Sequence, residues 1–209
     1  MRKLIAAAFV SLDGVMQAPG GPEEDPSESF AFGGWTAPFW AEDTDPFMGV
    51  FDDAEGHPFD LLLGRRTYDI FAAYWPVHQE IPIGPLFDRV TKYVATSRPD
   101  TLGWINSVAL TGDVPAEIAR LKQGEGPDLL TQGSSVLLHA LLVHDLVDEL
   151  RLMTFPVVLG HGKRWFGQGS APAGFTLDQT VTFSTGVVSS LYTRAGEVRT
   201  GTIGDPAPT

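Results

Sequence analysis

The sequence predicts an α/β fold around a central mixed, mostly parallel sheet, and three observations carry that prediction. Short apolar runs of strand length alternate with helical segments along most of the chain. Two β-rich runs, residues 175–183 and 187–193, close the chain as a hairpin across Ser184–Gly186 and so add an antiparallel C-terminal edge. The 209 residues are 43% hydrophobic and 11% aromatic, enough core for one domain over residues 1–203, with 204–209 as a loose tail.

The elements follow in order. LIAAAFV, residues 4–10, is an unbroken apolar run, as a strand buried on both faces requires. Arg2 and Lys3 ahead of it imitate a signal peptide, but the run is short, lacks a small-x-small cleavage site and continues into Leu12-Asp13-Gly14. A first strand is the better reading. Residues 18–38, rich in Gly, Pro and acids, read as a lid or a disordered insertion. Residues 39–54 read as a helix interrupted at Pro46, 59–63 as a strand, and 66–74 as a helix that stops before Trp75-Pro76. Strands are expected at 92–96 and 105–110. Asp113 then caps a helix with an early proline and with Gly124 beyond its end. The strand at 128–131 runs into Gly133-Ser134-Ser135, where either serine can cap the apolar helix at 136–143. Residues 150–158 make a strand and 160–169 a glycine-rich loop.

A net charge of −12 argues against nucleic acid and anionic membrane as partners. No apolar run approaches the roughly 18 residues of a membrane span. The absence of cysteine removes disulfides, thiolate nucleophiles and cysteine-ligated metals, and fits a reducing cytoplasm. His139 and His144 stand five apart, which is not H-E-x-x-H spacing, and no metal is expected.

With only 14 Lys and Arg in the chain, local basic groups carry information. In DLLLGRRTYDIF, residues 60–71, a strand stops at the turn glycine Gly64, two arginines, Arg65 and Arg66, follow, and Thr67–Phe71 opens a helix. Unpaired N–H groups at a helix start, with a glycine that lets a ligand approach the backbone, form one way to hold an anion; the alternative is a tight turn with solvated arginines. Gly133, Ser134 and Ser135 repeat the arrangement. Ser97 and Arg98 end a third strand with a hydroxyl and a guanidinium, donors suited to the 2′-phosphate of NADP. Three such sites favour a phosphorylated nucleotide cofactor. Neither G-x-G-x-x-G nor a P-loop is present, so an ordinary Rossmann dehydrogenase and a P-loop ATPase are unsupported.

The ordered set SLDG (11–14), LLLGRRTYD (61–69), YVATSRP (93–99), LLTQGSSVLLHALL (129–142), DELRLMTFPVVLGHGKRWF (148–166) and GVVSSLY (186–192) resembles the dihydrofolate-reductase-like superfamily. Within it, the resemblance is to the branch related to the reductase domain of the bifunctional riboflavin-biosynthesis deaminase-reductase. It implies a three-layer dihydrofolate-reductase-like fold with NADPH across the strand ends. Gly64, Arg65, Arg66 and Thr67 match the family's phosphate segment, Ser97 and Arg98 its 2′-phosphate corner, and Gly133, Ser134 and Ser135 its pyrophosphate turn. The backbone at Ala8 and Phe9 would meet the nicotinamide carboxamide, with Phe9 where relatives carry a small residue.

Substrate walls are expected from Trp40, Phe47 and Trp75, each of which also reads as a core aromatic. Asp43 and Asp13 are the candidate catalytic acids: Asp43 has a relative's spacing to Phe47, and Asp13 begins the first loop, where Asp-Gly also reads as a plain turn. The expected function is NADPH-dependent reduction of a small pterin-like, pyrimidine-like or carbonyl compound, with a non-catalytic NADP(H)-binding module as the alternative. A homodimer is expected from the resemblance.

Overall fold

The computed structural model describes residues 1–44, 59–167 and 170–203. Its strands are β1 (Leu4–Ser11), β2 (Phe59–Gly64), β3 (Lys92–Ala95), β4 (Ser107–Leu110), β5 (Asp128–Gln132), β6 (Glu149–Phe155), β7 (Gly174–Thr182) and β8 (Val188–Gly196). They form one sheet in the order β4-β3-β2-β5-β1-β6-β8-β7, with parallel pairing from β4 through β6. Only β8 runs against the rest, so the closing hairpin supplies both antiparallel pairs.

Side chains alternate across a strand, and β1 shows why an unbroken apolar run was needed. Ile5 and Ala7 enter one core with Leu61, Leu63, Leu130, Tyr68 and Phe71, whereas Leu4, Ala6 and Ala8 enter a second with Leu62, Leu129, Ile118 and Leu138. The first core lies under α1 (Arg65–Tyr74) and α2 (Ile83–Arg89), the second under α3 (Val114–Gln123) and α4 (Ser135–Val143). The result is three layers, the arrangement that the resemblance implied.

Local chemistry explains the boundaries. The Asp113 carboxylate accepts from the Ala116 N–H at 3.1 Å and starts α3. β4 begins at Ser107 rather than at 105, because Asn106 turns with φ 58°. β6 ends at Phe155, before Pro156, whose missing N–H cannot continue a ladder. α2 has no stripe in the sequence. It is held by the buried Phe87 against Phe71 and Phe59, and the buried Lys92 ammonium donates to the carbonyls of Phe87, Asp88 and Val90 at its end. Of the helix expected at 39–54, Phe39 ends a single 3-10 turn over Ala37–Phe39, residues 40–44 are not helical, and 45–54 lie outside the described residues.

Residues 18–38 are a folded strap rather than loose chain. Phe30 and Trp35 are buried, and the Trp35 indole N–H donates to the Gln17 carbonyl at 2.8 Å.

Candidate active site

β2 and β5 are parallel neighbours, yet the helices that follow them leave to opposite faces: α1 packs in the first core and α4 in the second. Such a reversal opens a crevice at the carboxyl ends of the strands, the place where open α/β sheets bind ligands. A cavity of about 420 Å³ lies there. Its lining passes from Ala8 and Phe9 on β1, over Gln132 on β5 and Gly64 on β2, to Ala95 on β3. Those are three strand spacings, or about 14 Å.

Two helix starts face this crevice. The Ser134 hydroxyl accepts from the Gly64 N–H at 3.1 Å and donates to Thr67 Oγ1 at 2.8 Å, tying the turn before α1 to the turn before α4. Ser134 precedes α4, but it does not cap that helix through its side chain, as the sequence suggested; its oxygen serves the other turn. Gly133 and Ser134 both have positive φ, 65° and 50°, and for serine that conformation stores local strain. The first three N–H groups of α1 and of α4 have no partner within their helices and are available to an anion.

The third turn is joined to the first by Arg65. Its guanidinium donates to Thr96 Oγ1, the Arg98 carbonyl and Thr101 Oγ1, and pairs with Asp69 at 2.8 Å. Arg65 therefore builds the corner instead of standing free. Ser97 and Arg98 are exposed and do not line the cavity, and the Arg98 side chain has no hydrogen-bond or ion-pair partner among the described residues.

Gln17, Asp25 and Glu24, which the sequence did not single out, complete the crevice. Gln17, 1% exposed, donates through its amide to the carbonyls of Asp25 and Ser27 and accepts from the Lys163 N–H at 3.0 Å. Asp25, buried in the strap, pairs with Arg66 and, at 2.6 Å, with Lys163. Burial pushes the Asp25 carboxyl up, but the bonds from Lys163 and Ser27 more than reverse this and hold it below its usual value. Glu24, also in the lining, is shifted the other way: burial raises it, against N–H bonds from Gly20 and Gly21. No local pattern announces these contacts.

The two proposed acids lie elsewhere. Asp13 accepts from the Ser11 hydroxyl at 2.6 Å and from the N–H groups of Leu159 and Gly160, and Arg164 lies at 3.3 Å. Burial raises its carboxyl, yet these bonds bring it from 3.8 to about 2. Asp43 accepts from the N–H and hydroxyl of Ser184, both at 2.8 Å, which hold it below the usual carboxylate value. Carboxylates held ionised in this way fasten loops and are poor proton donors. Neither lines the cavity. Trp75 does not line it either, because its ring packs on Phe71 and Phe87. Trp40 meets the cavity only through Phe9, 5.6 Å away edge to face. Phe47 lies outside the described residues.

The Asp13 fastening has a pH signature. Because its folded value is depressed, the stability it contributes is present above about pH 3.8 and drains as pH falls toward about 2. Asp13→Asn should lose about 2 kcal/mol at neutral pH and lack that acid slope. Urea unfolding at neutral and acid pH measures both.

The site suits an extended dinucleotide. It spans four strand ends, carries two helix starts near its middle and, toward β3, is lined by Arg65, which reaches the Arg98 carbonyl. Beneath it the Gln132 amide oxygen is buried without a partner among the described residues, an acceptor for an amide-bearing ligand.

Comparison with known proteins agrees with this fold. The uncharacterized Bacillus subtilis (strain 168) protein YyaP is 28% identical over 195 residues, 91% of this chain and 94% of YyaP. A solved protein from Shewanella sp. PV-4, provisionally assigned to riboflavin biosynthesis, superposes with a TM-score of 0.67 at 19% identity, covering 93% of this chain and 99% of its own. Dihydrofolate reductase from Enterococcus faecalis, solved with NADP(H), gives a TM-score of 0.55 at 18% identity over 92% of this chain and 96% of that one. The family model of the RibD C-terminal domain matches residues 2–189, and the chain belongs to that family.

Proposed function

We propose that the protein is an NADPH-dependent reductase acting on a small heteroaromatic or carbonyl substrate of pterin or pyrimidine type. The observation that carries this is the cavity across β1, β5, β2 and β3, entered by two helix starts tied together at Ser134. Bound there, the nicotinamide supplies the hydride. The protein's part is to hold, orient and exclude water. The N–H groups of α1 and α4 take the pyrophosphate, Arg98 and Ser97 the 2′-phosphate, and the backbone at Ala8 and Phe9 the carboxamide end. Phe9 stands edge-on to Trp40 and Phe155, at 5.6 and 5.8 Å, an apolar wall against which a planar ring can be positioned. Glu24, rather than Asp13 or Asp43, is the lining acid whose surroundings favour the protonated form.

Arg98 gives the sharpest test of cofactor choice. Replacing it with alanine should weaken NADPH by about tenfold to a hundredfold, the worth of one or two charge-assisted hydrogen bonds, and leave NADH nearly unchanged. Equal losses for both in a fluorescence titration would remove Arg98 from the 2′-phosphate. A second reading, a cofactor-binding module without turnover, is favoured by the structural use of Asp13 and Asp43. Loss of NADPH absorbance with a pterin, pyrimidine or quinone substrate supports the enzyme; tight binding with no turnover supports the module.

A further inference from the structure

The cations that line the crevice, Arg65, Arg66 and Lys163, are already engaged. Arg66 stands in the first turn of α1, beside the N–H groups that face the cavity, and its guanidinium is paired with Asp25 from the strap. The same carboxylate binds the Lys163 ammonium at 2.6 Å and the Ser27 hydroxyl at 2.6 Å. All three charged residues line the cavity. One carboxylate therefore occupies, from within the chain, the positive groups that a phosphate would seek.

The partners differ in what they can give up. The Asp25 side chain is 7% exposed and Lys163 is 23% exposed, whereas Arg66 is 57% exposed. Arg66 can turn to a ligand with little desolvation. Asp25 cannot follow it into water, and it keeps Lys163, Ser27 and the rest of the buried strap. A phosphate beside Arg66 would also repel the Asp25 carboxylate.

We propose that Asp25 is a tethered competitor for the phosphate site: it holds Arg66 until a pyrophosphate group takes that arginine, and the strap then loses one of its fastenings. This rests on the dinucleotide reading above and adds to it a residue that sets affinity by occupying the site. It implies that the strap and the cofactor phosphate are coupled, so that each weakens the other's hold on Arg66.

Calorimetric titration of wild type and Asp25→Asn with inorganic pyrophosphate and, separately, with NADPH tests the proposal. The variant should bind both about tenfold more tightly, since the competing charge is gone while Arg66 and Lys163 remain. Equal or weaker binding of pyrophosphate by a folded variant overturns the proposal. Tighter pyrophosphate binding with no NADPH binding in either protein keeps the competitor and removes the dinucleotide reading. A measurement on wild type alone guards against a variant that does not fold. Cleavage by a glutamate-specific protease at the exposed Glu23 and Glu28 of the strap should accelerate when pyrophosphate is added. An unchanged or slower rate at saturating pyrophosphate would show that the strap does not yield Arg66.

Discussion

Gly64→Val is expected to weaken NADPH binding at least about a hundredfold, or about 2.7 kcal/mol, while the chain stays folded. The glycine is not there for an unusual backbone angle: its φ is −69° and its ψ 154°, which any residue adopts. It is there for space. A Cβ would stand 3.2 Å from Ser134 Oγ and 3.4 Å from Ser134 Cβ, and valine adds two methyl groups to that contact. The side chain that must move is the one that ties the two helix starts, so the clash falls on the proposed phosphate site itself. Gly64→Ala, with one contact to relieve, should lose less. Calorimetry with NADPH and far-ultraviolet circular dichroism on the same samples separates a blocked site from a lost fold. Wild-type affinity in the valine variant would take this turn out of the site.

Gly162→Ala should cost the fold about 3 kcal/mol or more, as both overpacking and a forbidden backbone region are imposed together. Gly162 has a φ of 125°, and an added Cβ would lie 2.7 Å from Val15 Cγ1 and 2.8 Å from Phe30 Cε2. Val15 and Phe30 are buried, so neither can step aside into solvent. Phe30 belongs to the strap and Val15 follows the first strand, so the damage reaches the wall of the cavity as well as the core. Urea unfolding gives the loss, and weaker NADPH binding should accompany it. A variant with wild-type stability would mean that the glycine-rich loop is free to move away.

The sheet and the strand-to-helix turns at Gly64 and Gly133 were legible because their signals are local. An apolar run, a glycine and a helix start lie next to one another in the chain, at Gly64 and again at Gly133, and strand-end chemistry follows from that order. The strap was not legible, because the bonds that fold it join distant residues. Gln17 meets Lys163 across 146 positions and Asp25 meets Arg66 across 41. Composition there says only Gly, Pro and acid, which suits a loose insertion as well as a packed one. The acids Asp13 and Asp43 were chosen for local reasons, a turn and a helical spacing, but their carboxylates are claimed by the N–H groups of Leu159, Gly160 and Ser184 from later loops. Trp75 stood out at a helix break, but its backbone is still helical, and at four residues from Phe71 its ring shares the core-facing side with Phe71 against Phe87. Local sequence located the backbone donors; the side chains that close the site depend on tertiary contacts.

The central claim is that the strand ends cradle one reduced dinucleotide phosphorylated at the 2′ position. Isothermal titration of the purified wild-type chain tests it most directly. One NADPH should bind per chain in the micromolar range, with NADH at least about tenfold weaker. No heat of binding at millimolar NADPH, or equal affinity for the two nucleotides, would contradict it.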